Sequence, residues 1–207
     1  MHQTRQHTST RIPITRKGTK YIVSSKGNSE NSVPVVLAVR DMLKLARTAK
    51  EVHELVKDDL IKLNGRSIKD LREPVQLFGV LNVGDKHYRL SLLPTNKFFF
   101  EEVKDGNKRL TKIIRKSLVY GGKVQVGLSD GSAVIGKAEM KINDSIYLDN
   151  SQKVIQHVPL KSGSNIFVIA GRYSGNSGKV VSYENGKVKV QVKDKEATLP
   201  ASNVIAQ

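Results

Sequence analysis

The chain has 207 residues, 38% of them hydrophobic, which is enough to bury a core in one or two domains. Lys and Arg number 35 against 19 Asp and Glu, a formal net charge of +16 that attracts polyanions in a salt-dependent way and makes nucleic acid the leading partner class, with anionic membrane as the alternative. No apolar run reaches the ~18 residues of a membrane span, the amino terminus has no apolar stretch of a secretory signal, and the absence of cysteine excludes disulfides and thiolate metal sites, so cytoplasmic residence is expected.

Positive charge is spread along the chain rather than concentrated. Residues 1–32 hold six cations and one anion, residues 33–83 nine and seven, residues 84–160 thirteen and eight, and residues 161–207 seven and three, a distribution that suits contact with an extended anionic surface. The first of these segments is polar and, apart from Tyr21-Ile22-Val23, offers little to offset the entropy of ordering it in isolation. It reads either as a basic arm, with Arg5, Arg11, Arg16 and Lys17 as its cations, or as a plain disordered leader.

In residues 33–83, Ser32 is a candidate helix N-cap, and Val36, Val39, Met42, Leu43 and Ala46 recur at helical spacing. That helix would stack Arg40, Lys44 and Arg47 in one row on its polar side, a row that is either an RNA contact or a solvated face. Thr48-Ala-Lys-Glu51 matches a capping box and opens a second, shorter helix with Val52, Leu55 and Val56 on its apolar side. The period then changes to two in Ile61-Lys-Leu63, and Asn64-Gly65 predicts a type I′ hairpin, with Lys62, Arg66 and Lys69 around it.

Residues 84–160 read as a central antiparallel β domain. Turn signals recur at Val83-Gly-Asp85, Asp105-Gly-Asn107, Gly121-Gly122, Asp130-Gly131 and Ile142-Asn-Asp144, with strand-like runs such as Lys123-Val-Gln-Val126 and Ser145-Ile-Tyr-Leu148 between them. Lys108–Lys116 is expected to be a basic strand, because it runs straight into Ser117-Leu-Val-Tyr120 and the glycine pair.

In residues 161–207 an apolar run reaches Gly171, glycines recur at Gly175 and Gly178, and a second strand restarts at Lys179. A loop with glycines free to take positive φ would bring main-chain N–H groups close to a phosphate or base, with Arg172 and Lys179 as cationic donors and Tyr173 as a stacking ring.

Helix, turn, helix, strand and turn, in that order with cations along them, resemble the alpha-L RNA-binding motif of ribosomal S4 type, and the glycine loop between two strands resembles a KOW motif. Taken together, Val33 to Ala46, Lys62-Leu-Asn-Gly-Arg66, Glu73-Pro-Val75, Gly121-Gly-Lys123, Ser129-Asp-Gly131, Gln156-His-Val-Pro159 and the loop 171–178 resemble the archaeal and eukaryotic small-subunit ribosomal S4e family over nearly the whole chain. Relative to that family the arm is less densely basic, Asn143 stands where a Gly is usual before Asp144, and the chain stops soon after the KOW unit. The resemblance implies a mostly β, α+β protein: arm 1–32, alpha-L module 33–83, central β domain 84–160 and an SH3-like KOW barrel 161–207. It also implies a cytoplasmic structural constituent of the small ribosomal subunit that binds and organises rRNA beside neighbouring ribosomal proteins, with no cofactor and no small-molecule substrate. The alternative is a KOW-containing transcription or translation factor that binds ribosome or polymerase transiently.

No catalytic or metal constellation is expected. His2, His7, His53, His87 and His157 are scattered without metal-ligand spacing, and Asp58-Asp59 and Glu101-Glu102 would diverge on either a helix or a strand. Gly178-Lys179 lacks the earlier Gly and the following Ser or Thr of a phosphate-binding P-loop. Membrane binding would need a basic amphipathic helix with a broad apolar face, which the chain lacks.

Overall fold

A computed structural model describes residues 2–27, 31–192 and 195–207. The chain forms two compact units, one holding the residues up to Leu92 together with Asn96–Asn107, the other Leu93–Thr95 and Lys108–Gln207. Among the described residues no helix is long and apolar enough to cross a membrane.

In the first unit, β1 (His2–Thr4) pairs antiparallel with β2 (Tyr21–Val23), so the N-terminal segment closes on itself instead of extending as an arm. Ile12 and Ile22, two residues that the polar composition around them obscures, are buried. β3 (Ser32–Pro34) follows, then β4 (Ile61–Leu63), β5 (Arg66–Ser67), β6 (Pro74–Gln76), β7 (Val80–Val83), β8 (Lys86–Leu92) and β9 (Phe98–Val103). β3 pairs with β6, and the remaining strands form an antiparallel sheet in the order β5-β4-β7-β8-β9 over a core that includes Ile61, Leu81, Leu90 and Phe98.

The first helix departs from expectation. Ser32 is a buried strand residue opposite Gln76, not an N-cap, and the helix α1 (Val35–Leu37) starts after Pro34 and widens into a π turn over Ala38–Met42. The reason is burial: Val35, Val36, Leu37, Ala38 and Val39 are all at most 1% exposed, so this run is apolar on every side and no amphipathic helix can be built from it. The helix ends where Lys44 takes φ 57°, so Arg40, Lys44 and Arg47 do not form the expected stacked row. The second helix, α2 (Ala49–Lys57), follows its capping box: Thr48 Oγ1 accepts from Glu51 N at 3.2 Å, and Glu51 Oε2 accepts from Arg47 N at 2.8 Å. The bond from the Arg47 amide, then one from the Thr48 hydroxyl to Glu51 Oε1 at 3.0 Å, hold the Glu51 carboxyl below its ordinary pKa. The Asn64-Gly65 turn also forms as read, with φ of 51° and 78°, and the Asn64 side chain accepts from Val80 N at 2.9 Å, which ties the turn to β7. The boundary expected between residues 83 and 84 falls inside the β7–β8 hairpin, where Val83 pairs with Lys86, and the unit continues to Asn107.

The second unit holds two antiparallel sheets. The first has the order β12-β11-β10-β13-β14 and is built from β10 (Lys108–Val119), β11 (Lys123–Leu128), β12 (Ala133–Gly136), β13 (Ser145–Asp149) and β14 (Val154–Val158). β10 is the basic strand expected; its first half pairs with β13 and its second half with β11. Ile113, Val126, Leu128, Val134, Met140, Ile146 and Leu148 form its core. The second sheet has the order β18-β17-β16-β15-β19, from β15 (Asn165–Val168), β16 (Ser177–Glu184), β17 (Lys187–Val192), β18 (Lys195–Pro200) and β19 (Val204–Ala206). β17 reads Lys-Val-Lys-Val-Gln-Val and alternates exposed and buried at every residue, as period-two patterning requires.

Bonds inside the unit join these sheets across the boundary expected at residues 160 and 161. Lys112 Nζ donates to Ala201 O and, at 2.7 Å, to Val204 O, and Ser145 Oγ accepts from Ala206 N at 2.9 Å. Lys112 is only 4% exposed, and burial pushes its pKa down to about 8.

Candidate nucleic-acid interface

A cation can grip phosphate to the extent that its charge is not already neutralised at home. In the N-terminal segment, Arg5 donates from Nε to Thr19 O at 2.8 Å, from Nη1 to Thr15 O at 2.7 Å and from Nη2 to Thr19 Oγ1 at 2.8 Å. Arg16 donates to Thr8 O at 2.9 Å and to Ser9 O at 3.2 Å, and Arg11 donates to Asn31 Oδ1. These guanidinium groups tie the N-terminal segment together through neutral acceptors, so their geometry is fixed within the chain without rRNA, while the charge of Arg5 and Arg16 stays uncompensated by any carboxylate among the described residues. Lys17 is exposed and forms no ion pair among the described residues.

Within residues 33–83 the cations divide into two groups. Arg40 pairs with Asp41 at 2.8 Å, Lys62 with Asp59 at 3.0 Å and Arg66 with Glu73 at 2.9 Å. Hydrogen bonding from Ser67, then from Lys62, holds the Asp59 carboxyl below its ordinary pKa, so it stays charged opposite the lysine. Lys44, Arg47 and Lys69 are exposed and form no ion pair among the described residues, although the Arg47 charge lies in the field of the Glu51 carboxylate.

The glycine loop is self-contained. Gly171 and Gly175 take φ of 94° and 77°, as expected, but Gly178 lies in β16 without positive φ. A Cβ at Gly178 would fall 2.5 Å from Gln191 O, and one at Gly175 only 2.1 Å from Leu93 O, so these two glycines permit close backbone packing. Three of the N–H groups that the loop is expected to offer a phosphate are used inside it: Ser174 N donates to Gly171 O at 3.2 Å, Gly175 N to Val168 O at 2.8 Å and Asn176 N to Tyr173 O at 3.2 Å. Tyr173 is half-buried against the core formed by Ile166, Val168 and Val180, which leaves less of its ring for stacking than the sequence suggested. Arg172 and Lys179 remain exposed and form no ion pair among the described residues.

Sequence reasoning missed two features of the second unit. The buried Asp144 carboxylate accepts from Lys141 N at 2.9 Å and Leu160 N at 3.0 Å and lies 2.8 Å from His157 Nε2, which uses both of its oxygens to fix the turn before β13. Asn143, beside it, takes φ 76°, a conformation that Asn tolerates better than most residues. The other feature is the β10–β11 hairpin, where no carboxylate occurs from Gly106 to Ser129, a signal that was open to counting.

The profile of ribosomal family S4e matches residues 84–155. The small ribosomal subunit protein eS4 of Archaeoglobus fulgidus is 33% identical over 189 residues, covering 89% of this chain and 80% of that protein. That of Methanocella arvoryzae is 31% identical over 174 residues, covering 81% and 74%. The crystal structure of the 30S ribosomal protein S4e from Thermoplasma acidophilum shares the fold, with a TM-score of 0.74 at 19% identity over 86% of this chain and 95% of that one. A third of the residues kept over most of two whole chains is far beyond what a shared β architecture alone would leave, and the chain belongs to the ribosomal S4e family.

Proposed function

We propose that this protein is a structural constituent of the small subunit of the cytoplasmic ribosome, where it binds and organises rRNA beside neighbouring ribosomal proteins and makes or breaks no covalent bond. Its relatives' name as small-subunit proteins and its net charge of +16 support this reading. The observation that carries it is that both units expose cations that form no ion pair with a carboxylate among the described residues: Lys17, Lys44 and Lys69 on one, Arg172 and Lys179 on the other.

A-form RNA hides its base edges in a deep, narrow groove, so such cations act on the phosphate backbone and on shape. In this reading the first unit carries an alpha-L module, and the second joins a central β domain to an SH3-like KOW barrel. Arg40, Lys62 and Arg66 reach phosphate only by exchanging a carboxylate for it, which returns little net energy. Tyr173 supports its loop from below while Arg172 and Lys179 make the contact. Several modest sites on one RNA raise each other's effective concentration and give durable assembly.

Washing small subunits through increasing salt tests the proposal. A constituent remains with the particle at salt that strips loosely held factors; recovery of the protein free of particles at moderate salt would overturn the reading in favour of a transient factor.

A further inference from the structure

The outer part of the β10–β11 hairpin is exposed well beyond the core that anchors it. Val126 is buried, but two and four residues further out Leu118 is 77% exposed and Tyr120 is fully exposed, with Val119 also at the surface. The reversal is made by Gly121 and Gly122 at φ of 82° and 70°, and open space surrounds both, so they serve the turn and not packing. Leaving a leucine and a tyrosine ring at a hairpin tip has no folding benefit within the chain.

The charge around this tip is one-sided. From Gly106 to Ser129 the chain carries six Lys and Arg and no Asp or Glu. Arg109 is consumed by Asp130 at 3.2 Å and Lys112 is buried, but Arg115, Lys116 and Lys123 face solvent. Lys116 Nζ donates to Ala138 O at 2.6 Å, a neutral acceptor that leaves its charge uncompensated. The register sets Lys116 and Leu118 opposite Val126 and Val124, and Val119 opposite Lys123, so a cation lies beside an apolar residue on both faces of the hairpin.

We propose that this tip enters an unpaired stretch of rRNA, with the Tyr120 ring stacking on a splayed base, Leu118 and Val119 flanking it, and Arg115, Lys116 and Lys123 meeting the adjacent phosphates. Apolar residues alone would fit a protein partner equally well. A fully exposed aromatic ring among cations, with no acid to pair with a partner's bases, fits a polyanion that presents flat π faces. The inference rests on the rRNA-binding reading above and adds the site and its mode of contact.

The test measures binding of the full chain to deproteinised small-subunit rRNA in excess transfer RNA. Tyr120→Ala weakens binding about tenfold, Tyr120→Phe restores it, and neither changes the melting temperature. Tyr120→Ala leaves the salt slope unchanged, whereas Lys123→Ala flattens it by roughly 0.7. If the wild type prefers rRNA and Tyr120→Ala binds equally well, the hairpin inference fails and the rRNA reading stands; if the wild type shows no preference for rRNA, both fail. Tyr120→p-benzoylphenylalanine, irradiated in assembled small subunits, is expected to crosslink to rRNA, and a crosslink to a neighbouring protein would overturn the proposal.

Discussion

The β4–β5 and β10–β11 hairpins both turn on residues of positive φ, Asn64-Gly65 in one and Gly121-Gly122 in the other, and both carry Lys and Arg beside the turn. Around the first, Lys62 and Arg66 are matched by Asp59 and Glu73. Around the second, Arg115 and Lys123 have no carboxylate among the described residues. Counting cations would rank the two as equal RNA contacts. The carboxylates nearby separate them, because an ion pair already made must be given up before phosphate can replace it.

The comparison can be broken at its supports first. Asp144→Ala removes a buried carboxylate that holds two backbone N–H groups and His157, and it should cost about 3 kcal/mol of stability, read by chemical denaturation. That loss should weaken the β10–β11 hairpin's platform while β4–β5 stays intact, visible as hydrogen exchange confined to the second unit.

Next in size is the pH response of Lys112. Its folded pKa of about 8 lies below the ordinary value of 10.5, so between these values the unfolded chain binds more protons and stability contributed by this group rises with pH. Below pH 8 both states are charged and the full desolvation penalty remains. Lys112→Met should remove that rise, measured as the difference between variant and wild-type stability across pH 8 to 10.5.

A smaller effect sharpens the contrast from the other side. Asp59 takes φ 55°, which Asn accepts, so Asp59→Asn should keep the fold within about 0.5 kcal/mol and release Lys62. The rRNA salt slope should then steepen by roughly 0.7 as β4–β5 comes to resemble β10–β11.

What the sequence disclosed was local. Thr48 with Glu51 and Asn64 with Gly65 are decided by residues within a few positions of one another, and each pair formed as read. The run from Val33 to Val39 misled because helical spacing can be picked out of any continuous apolar segment, while burial on all sides is a tertiary property. The interface was the least legible part. Arg5 is tied to Thr19 fourteen residues away, Arg66 to Glu73 seven away, and Lys112 to Val204 ninety-two away, and nothing in a cation's own neighbourhood announces such partners.

The central claim is that phosphate is gripped by the cations left uncompensated. Two triple variants, Lys44→Ala with Lys69→Ala and Lys179→Ala, and Arg40→Ala with Lys62→Ala and Arg66→Ala, remove the same formal charge from the two classes. In the log-log dependence of rRNA affinity on salt, the first should flatten the slope by about two units and the second by less than one. Equal losses, or a larger loss from the ion-paired set, would contradict the account.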